Sequence, residues 1–504
     1  MHRFEKKNKV GRLLALVNRE TPNKNFSFFF PVEGMEQLAE LREVTKGMQE
    51  VARVYEEEYE FRTFSVADIA RVGDDFPGVD EEQIWQTAIE SWVDDDKRFA
   101  QDLASQVIEW RRHHSTDDLP GLVMGAITKG KDFFNQEEII SRIWELVHNG
   151  QDLLLAAPRR FGKSSLLDQL SDHTPEGVAT CSVDLEKGAS ASDFIRLILR
   201  GLMDREECWE CLPPAVRDQL DANTCERTKV AAVRRESREI EQNWRGVGAE
   251  LFQKMNATKG RFLLMLDEFS WLLEDMIARK GTETQEVTDF LEWFSGICQK
   301  HKNLSVIITG SEHLEAFLEA NKLSSDLIAH LERVPLAPLR ETTAKIFSFL
   351  VLFKQGIMVS PADLKAIIGL MGRPIPYFLQ VFLDLLQKEC HRTGQLSTDD
   401  FEKIYSEELL GRDAKRYFEY IDHQVERYAG YGLHTDGIKK ILNRLGQETQ
   451  VEIRELSALW DSSITGTFQF LMALLKNDFF LVEHNDHVTM ECKILRDYFS
   501  LQSV

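Results

Sequence analysis

The chain has 504 residues, more than one ordinary hydrophobic core accommodates, so two to four domains are expected. Hydrophobic residues at 43% and charged residues at 29% are typical of a water-soluble globular protein. The 83 acidic residues outnumber the 61 basic ones, and a net charge of −22 disfavours nucleic acid as the main partner, because such binding depends on neutralising phosphates with lysine and arginine.

The cysteine pattern and the hydropathy of the chain both help to predict the cellular compartment of the protein. Seven scattered cysteines do not form a disulfide framework, which indicates a reducing environment. The apolar run Leu13–Val17 after the basic N-terminus is shorter than a signal peptide needs, and no stretch approaches the roughly 18 apolar residues of a membrane span. We therefore expect a cytoplasmic protein without a membrane partner.

The N-terminal region, residues 1–125, is predicted to be mostly helical and to serve as an interaction module. Apolar residues recur at helical spacing through Met35–Tyr59. Ser27–Pro31, with three consecutive phenylalanines, is predicted to be either a strand or a buried loop. No catalytic signature is found in this region.

Residues 126–340 alternate short apolar runs with helical patterns, which predicts a parallel sheet covered on both faces. The runs that predict strands are Asp152–Ala157, Ala179–Leu185, Arg261–Asp267, Leu304–Thr309 and Arg333–Leu336. A charged helical insertion, Asp204–Trp244, separates the second run from the third. After this region, residues 341–412 are predicted to be helical, and residues 413–504 to be helices followed by a hairpin.

A glycine-rich turn after the first of these strands predicts a phosphate-binding loop of the Walker A type. The residues predicted to line the bound nucleotide are Ala157, Pro158, Arg159, Arg160, Phe161, Gly162, Lys163, Ser164 and Ser165. A strand before the loop and a helix after it aim main-chain N–H groups and the positive helix end at phosphates. Lys163 would contact the β- and γ-phosphates of ATP or GTP, and the Ser164 hydroxyl would bind Mg²⁺. Ala157 replaces the usual glycine, which would cost about 1–2 kcal/mol if the position needs a positive φ.

The third predicted strand ends in two acids, Asp267 and Glu268, as a Walker B strand does. Carboxylates at the carboxyl end of a buried strand lie at the crevice where α/β sheets bind ligands. Asp267 would hold Mg²⁺, and Glu268 would act as the general base on the attacking water. The fourth strand ends in Thr309 and Ser311, either of which would sense the γ-phosphate, or would instead cap the following helix.

These residues resemble the archaeal-type ATPase family, a branch of the AAA+/STAND P-loop NTPases related to origin-recognition ATPases. The resemblance spans roughly residues 125–504. The segments that carry it are Pro158–Leu167, Leu264–Phe269, Ile307–Ser311, Val334–Leu339, Gly372–Pro374 and Ile494–Tyr498. One departure is Asn135-Gln136 after Phe133-Phe134, where the family usually has Gly-Arg at the adenine.

The resemblance implies an α/β P-loop NTPase core: a five-stranded parallel sheet in the order 5-1-4-3-2, a helical lid and a C-terminal winged helix. Gly372 and Pro374 of the lid would contact the base or ribose. Arg373 would approach the phosphates or remain a surface charge. Arg333 would be an arginine finger toward a neighbouring subunit, or an exposed cation. These roles come from the resemblance alone.

A pair of closely spaced cysteines and one C-terminal helix are predicted to have structural roles. Cys208 and Cys211, with Cys225 nearby, lack the fourth ligand of a structural zinc site. The helix Thr467–Lys476 would be the DNA-reading helix of a winged helix, but Lys476 is its only cation, which favours a protein-packing role.

Three functions follow from these observations. The first is an ATP-hydrolysing switch or assembly ATPase that acts on a protein partner, either an effector in a prokaryotic defence or toxin-like module or a second copy of itself. The second is a DNA-binding loader or regulator of the origin-recognition type. The third is a scaffold that binds ATP without turnover.

Overall fold

The structure is a computed structural model. It describes residues 120–502 with short gaps and, before residue 120, only the backbone of three strands. The gaps are at 124–127, 130–132, 134–136, 219, 221–225, 281–283, 311–313, 356, 358, 360, 394–395, 412–414 and 461–466. The predicted helix at 35–59 lies outside the described residues, except that Tyr59 begins a strand.

The elements alternate in the manner of an α/β protein and then become helical. The strands are β1 (Leu14–Val17), β2 (Phe26–Pro31), β3 (Tyr59–Phe64), β4 (Asp152–Ala156), β5 (Val178–Asp184), β6 (Arg261–Asp267), β7 (Leu304–Gly310), β8 (Leu331–Pro335), β9 (Val451–Glu452), β10 (Leu481–His484) and β11 (His487–Met490). The helices as far as the end of the core sheet are α1 (Glu137–His148), α2 (Lys163–Asp172), α3 (Ala191–Met203), α4 (Pro214–Arg217), α5 (Glu226–Asn256), α6 (Phe269–Lys280), α7 (Gln285–Lys300) and α8 (Leu314–Ala320). The later helices are α9 (Glu341–Lys354), α10 (Pro361–Met371), α11 (Pro376–Thr393), α12 (Thr398–Lys403), α13 (Lys415–Arg427), α14 (Thr435–Gln447), α15 (Ile453–Leu459), α16 (Phe468–Asn477) and α17 (Lys493–Leu501).

The core sheet has five strands in the order β5-β6-β7-β4-β8, and each neighbouring pair is parallel. Numbered within the core, this is the order 2-3-4-1-5, so the predicted P-loop NTPase sheet is confirmed. Every residue of β4 and β7 is buried, because helices cover both faces of the sheet and each side chain faces a packed layer. The carboxyl ends of β4, β7 and β6 therefore lie side by side, with β7 in the middle.

Aromatic contacts join three of the helices that pack on this sheet, α3, α6 and α7. The Phe194 ring on α3 makes edge-on contacts with Phe290 at 5.1 Å and with Phe294 at 5.8 Å between centroids. Phe269, the first residue of α6, packs on the same two rings. Because α6 begins directly after the Walker B acids, this cluster fixes the position of those acids relative to the sheet.

A close main-chain approach at the start of β6 provides a test of the fold. Gly260 has a φ of 99°, and a Cβ there would lie 2.1 Å from the Gly177 carbonyl oxygen. Gly260→Ala should therefore lower the free energy of unfolding by about 2 kcal/mol or more, since both the conformation and the contact resist a side chain. Urea denaturation of the full chain measures this change.

The matched control is Gly296→Ala in the exposed middle of α7, where a Cβ meets no atom within 4 Å. This change should raise the stability by up to about 1 kcal/mol, because alanine favours a helix over glycine. Equal effects of the two substitutions would contradict the close approach at Gly260.

The described part of the N-terminal region is a three-stranded sheet in the order β1-β2-β3. β1 and β2 are antiparallel, and β2 and β3 are parallel. The strand alternative for Ser27–Pro31 is therefore confirmed. The prediction of a mostly helical region is not confirmed, because the only described elements before residue 120 are strands.

The chain divides into two compact units. The first comprises Met1–Leu122, Arg340–Leu370 and Leu379–Leu409, and the second comprises Val123–Leu339, Met371–Phe378 and Leu410–Val504. The predicted lid, residues 341–412, thus falls largely in the first unit, whereas its Gly372–Pro374 segment belongs with the core sheet. The predicted domain boundaries at 125, 340 and 412 stay predictions.

Residues 415–501 form what we term the C-terminal module, within the second unit. It contains α13 to α17 and an antiparallel sheet in the order β10-β11-β9. The Phe418 ring of α13 stacks on Tyr498 of α17, with centroids 4.1 Å apart and an interplanar angle of 4°. The predicted hairpin at the end of the chain is the β10-β11 pair.

Within the described part of the chain, no helix combines the length and the apolar character that crossing a bilayer requires.

Candidate nucleotide site

The loop between β4 and α2 forms a sharp turn. Its backbone conformation explains why glycine occupies position 162 and why alanine is tolerated at position 157. Gly162 has a φ of 90°, and a Cβ built there meets no protein atom within 4 Å, so the loop presents an open face. Arg160 also has a positive φ, of 72°, but Ala157 does not. Alanine at the first position of the motif is therefore not strained. Main-chain N–H groups at the start of α2 lie beside the open face, as a phosphate site requires.

Lys163 is held under the loop by the loop itself. Its Nζ donates to the Ala157 carbonyl oxygen at 2.6 Å and to the Pro158 carbonyl oxygen at 3.1 Å, and the side chain is only 6% exposed. An ammonium group fixed in this way places positive charge at the centre of the turn. Ser165 accepts a hydrogen bond from the Thr128 N–H at 2.9 Å, which fastens the preceding segment to α2.

The loop and the Walker B strand meet through a direct contact. The Ser164 hydroxyl donates to Asp267 Oδ2 at 2.6 Å across 103 residues of sequence. A P-loop hydroxyl and a Walker B carboxylate are the two protein groups that hold Mg²⁺ in P-loop enzymes. The residues present therefore fit Mg²⁺ bound together with a nucleoside triphosphate.

Glu268 has the properties expected of a general base. Its backbone φ is 54°, a conformation that costs a non-glycine residue about 1–2 kcal/mol and that persists where the surroundings enforce it. Burial raises the pKa of the Glu268 carboxyl, against the opposing charge of Lys163 and with the added repulsion of Asp267. A carboxylate with a raised pKa is a stronger proton acceptor near neutral pH.

Thr309 joins the two Walker B acids to the strand between β6 and β4. Its hydroxyl donates to Asp267 Oδ1 and accepts from the Glu268 N–H at 3.2 Å, and the side chain is fully buried. Of the two residues proposed as γ-phosphate sensors, Thr309 therefore lies at the site. Ser311 lies outside the described residues.

Two arginines of the loop stack on aromatic rings. The Arg159 guanidinium lies 4.8 Å from the centre of the Trp271 ring, and that of Arg160 lies 4.8 Å from Tyr377 and 6.0 Å from Tyr420. Such cation–π contacts contribute roughly 0.5–2 kcal/mol each. They orient the loop against α6 on one side and against α11 and the C-terminal module on the other.

The Trp271 ring also makes a cation–π contact with an arginine of the C-terminal module. The Arg427 guanidinium lies 4.5 Å from its centre, and the Arg427 Nη2 lies 2.6 and 2.7 Å from the two carboxylate oxygens of Glu274. The Tyr431 hydroxyl donates to the same carboxylate at 3.0 Å. Arg427 and Tyr431 thus fasten the C-terminal module to α6, the helix that follows Glu268. The sequence analysis missed these residues, since no local pattern connects positions about 150 residues apart.

A small cavity of about 20 Å³ lies beside the phosphate loop. Pro158, Arg159 and Phe161 of the loop line it together with Ile375 and residues of the C-terminal module. Phe161 is 2% exposed, and its ring centre lies 5.1 Å from that of Phe479. The C-terminal module is therefore in direct contact with the loop.

The predicted lid residues contact the C-terminal module. A Cβ on Gly372 would lie 2.9 Å from the Lys493 N, so the glycine lets α17 approach closely. Arg373 forms an ion pair with the buried Glu491, and the Pro374 carbonyl accepts from the Leu339 N–H at 3.0 Å. Contact of these residues with the nucleotide stays a prediction.

Arg333 lies within β8, and its guanidinium is 3.3 Å from the Glu315 carboxylate, with both side chains about half exposed. A role toward a neighbouring subunit stays a prediction.

Cys208 and Cys211 are both fully buried, and burial raises the pKa of their thiols to about 12 and about 11. The Cys208 thiol donates to the Thr180 carbonyl oxygen, and Cys225 lies outside the described residues.

The chain is similar to several solved structures. They include the Walker-type ATPase PABY2304 of Pyrococcus abyssi, at 19% identity over 75% of this chain and 98% of that one, with a TM-score of 0.49. The Aeropyrum pernix ORC2 protein is 12% identical over 73% of this chain and 93% of that one, with a TM-score of 0.43. Domain III of the Thermotoga maritima replication initiation protein DnaA is 13% identical over 55% of this chain and 95% of that domain, with a TM-score of 0.32. No protein-family model and no curated protein sequence matches the chain.

The chain's own residues define the chemistry of the site. Lys163 and the N-terminus of α2 offer positive charge and N–H donors to phosphates. Ser164 and Asp267 offer oxygen ligands, Glu268 offers a base, and Thr309 fixes both acids. This combination is suited to transfer of a phosphoryl group to water.

Proposed function

We propose that this chain is a cytoplasmic, Mg²⁺-dependent ATPase of the AAA+/STAND type, in which ATP binding and hydrolysis switch the interaction with a protein partner. The observation that carries the proposal is the contact of Ser164 with Asp267. It brings the phosphate loop and the Walker B strand together at one edge of the P-loop sheet, with Glu268 beside them.

Each residue of the site has a defined task in this proposal. Lys163 and the loop N–H groups bind the triphosphate, and bound Mg²⁺ neutralises charge that develops on the β- and γ-phosphate oxygens. Ser164 and Asp267 hold the ion. Glu268 accepts a proton from the attacking water, and the hydrogen bonds of Thr309 hold Asp267 and Glu268 in position.

The C-terminal module, which we propose to be a winged helix, would sense the nucleotide state through α6. The path starts at Glu268, continues along α6 to Trp271 and Glu274, and reaches Arg427 of the module. Arg159 extends the path back to the phosphate loop. A shift of the loop or of α6 on nucleotide binding would therefore change contacts of the C-terminal module.

The charges of the C-terminal module favour a protein over DNA as the partner. Lys476, the only cation of α16, is paired with Glu483 at 3.0 Å. A helix that reads DNA needs Arg, Lys, Asn or Gln available to bases and phosphates. With a net charge of −22 in addition, the partner we propose is an effector protein of a defence or toxin-like module or a second copy of this chain.

Hydrogen exchange of the full chain, with and without a non-hydrolysable ATP analogue and Mg²⁺, tests the switch. We expect the analogue to slow exchange in the phosphate loop, in α6 and in the C-terminal module. In Arg427→Gln, protection of the loop should remain while that of the C-terminal module falls at least about threefold, because the ion pair with Glu274 and the contact with Trp271 are lost.

Arg444→Gln is the matched control. Arg444 is also a partly buried arginine of the module, 26% exposed and paired with Glu448 and Glu455, but its acidic partners lie within the module. It should behave as the wild type. Unchanged exchange of the module in the wild type would refute the switch. Size-exclusion chromatography with the same ligands tests self-association, and tight, salt-sensitive DNA binding in a filter assay would favour the loader instead.

A further inference from the structure

At the sheet edge opposite the phosphate loop, where the strands begin, three potential metal ligands converge. Asp152 is the first residue of β4, Cys298 lies in the last turn of α7, and His330 directly precedes β8. One ligand atom from each lies within 4.8 Å of the others. Asp152 is 8% exposed and Cys298 is 4% exposed, so two of the three side chains belong to the interior.

The two nitrogens of the His330 ring differ in their hydrogen bonding. Its Nδ1 lies 3.3 Å from the Ser295 hydroxyl oxygen, which accepts a hydrogen bond from Gln299 Nε2 at 3.0 Å. Its Nε2 is buried and makes no hydrogen bond within the part of the chain that the structure describes. A partner at one ring nitrogen commonly fixes the tautomer and leaves the other nitrogen as a metal ligand.

The Asp152 carboxyl and the Cys298 thiol would both be stabilised in their ionised forms by a nearby cation. Asp152 Oδ1 accepts the Val306 N–H at 2.8 Å, and among the described residues its carboxylate has no ion pair. Burial raises the pKa of Asp152 to about 6, and burial followed by the charge of Asp152 raises the pKa of the Cys298 thiol. A divalent cation would stabilise both in their ionised forms, since a coordinated thiol is deprotonated.

We infer that Asp152, Cys298 and His330 form a Zn²⁺ site with one coordination position left for water. Sulfur, imidazole nitrogen and carboxylate oxygen together form a donor set typical of zinc rather than of Mg²⁺ or Ca²⁺. Zinc–ligand distances of about 2.0–2.3 Å place tetrahedral ligand atoms about 3.3–3.7 Å apart, so small side-chain rotations close the site.

The ion would connect α7 to two paired strands. β4 and β8 are neighbours, with Asp152 opposite Leu331, and β4 carries the phosphate loop at its other end. A site at the beginning of these strands is separated from the nucleotide by the length of β4. Its effect would therefore be on the stability of the sheet rather than on phosphoryl transfer.

Titration of the metal-free full chain with Co²⁺ tests the site. We expect one equivalent to bind with a thiolate-to-cobalt charge-transfer band and the visible absorption of tetrahedral Co²⁺, and Zn²⁺ to displace it. The phosphate loop and Asp267 offer no thiolate, so Co²⁺ bound there would not give the charge-transfer band. Zn²⁺ should also raise the melting temperature.

Cys298→Ser should abolish the charge-transfer band, and His330→Gln and Asp152→Asn should weaken Co²⁺ binding at least about tenfold. Two controls should keep the wild-type spectrum and affinity: His301→Gln, which alters another buried histidine just after α7, and the pair Cys208→Ser/Cys211→Ser, which removes the other thiols at close spacing. ATP-analogue binding, which does not need the ion, shows that each variant is folded.

Absence of a thiolate band in the wild type would overturn the proposal. So would a band that persists in Cys298→Ser, or one that disappears only in Cys208→Ser/Cys211→Ser. If Cys298→Ser fails to bind the ATP analogue, His330→Gln and the isosteric Asp152→Asn decide, and wild-type Co²⁺ affinity in both would equally reject the site.

Discussion

Lys163→Ala is expected to lower the affinity for ATP by about 100-fold to 1,000-fold. A charge-assisted hydrogen bond contributes about 1.5–3 kcal/mol, each 1.4 kcal/mol is tenfold in affinity, and the ammonium group would contact two phosphates. The substitution also removes the two hydrogen bonds that Lys163 donates to the Ala157 and Pro158 carbonyl oxygens. Isothermal titration calorimetry with ATP and Mg²⁺ measures the loss.

Lys259→Ala is the matched control, since Lys259 is an exposed lysine just before β6, at the opposite end of that strand from Asp267. It should leave the affinity for ATP within about twofold of the wild type, because a solvated surface charge at a distance is largely screened. Wild-type ATP affinity in Lys163→Ala would remove the basis of the proposed function. Circular dichroism of both variants distinguishes loss of binding from loss of folding.

Glu268→Gln is expected to reduce the rate of ATP hydrolysis by about 100-fold to 10,000-fold, the usual contribution of a general base. ATP affinity should remain within about threefold, because Ser164, Asp267 and Lys163, which would hold the triphosphate and its ion, are unchanged. The amide keeps the shape of the side chain but cannot accept the proton from water. Phosphate release under saturating ATP measures the rate.

Glu292→Gln on the exposed surface of α7 is the control for this substitution and should hydrolyse ATP at the wild-type rate. Negligible and equal phosphate release by the wild type and Glu268→Gln would support a scaffold that binds ATP without turnover. A normal rate in Glu268→Gln alone would assign the base to another residue.

The phosphate site was predictable because its signals are local. A buried strand, a glycine turn and a helix start occupy one short segment, and an apolar strand that ends in Asp267 and Glu268 is equally compact. Hydrophobic runs also predicted each of the five core strands to within two residues, since the buried strands β4, β6 and β7 are mostly apolar. The strand order came from the family resemblance and agrees with the observed pairing.

The remaining features depend on contacts between distant segments. Arg427 pairs with Glu274 across 153 residues, and nothing near either residue in the sequence indicates the other. The cluster of Asp152, Cys298 and His330 likewise combines residues from three elements. β1 and β3 were missed because short strands in a charged region have weak periodicity. Local patterns thus predicted the residues that meet at the candidate nucleotide site, but not the contacts that connect them to the C-terminal module.

The position of Trp271 between two arginines has a practical consequence. Its indole is approached by Arg159 from the phosphate loop and by Arg427 from the C-terminal module. Indole emission responds to nearby charge, so this ring is an intrinsic optical probe of either movement. The chain has nine tryptophans, and the spectrum of Trp271→Phe subtracted from that of the wild type isolates its share. Stopped-flow fluorescence would then give the order in time of ATP arrival and rearrangement of the C-terminal module without an attached dye.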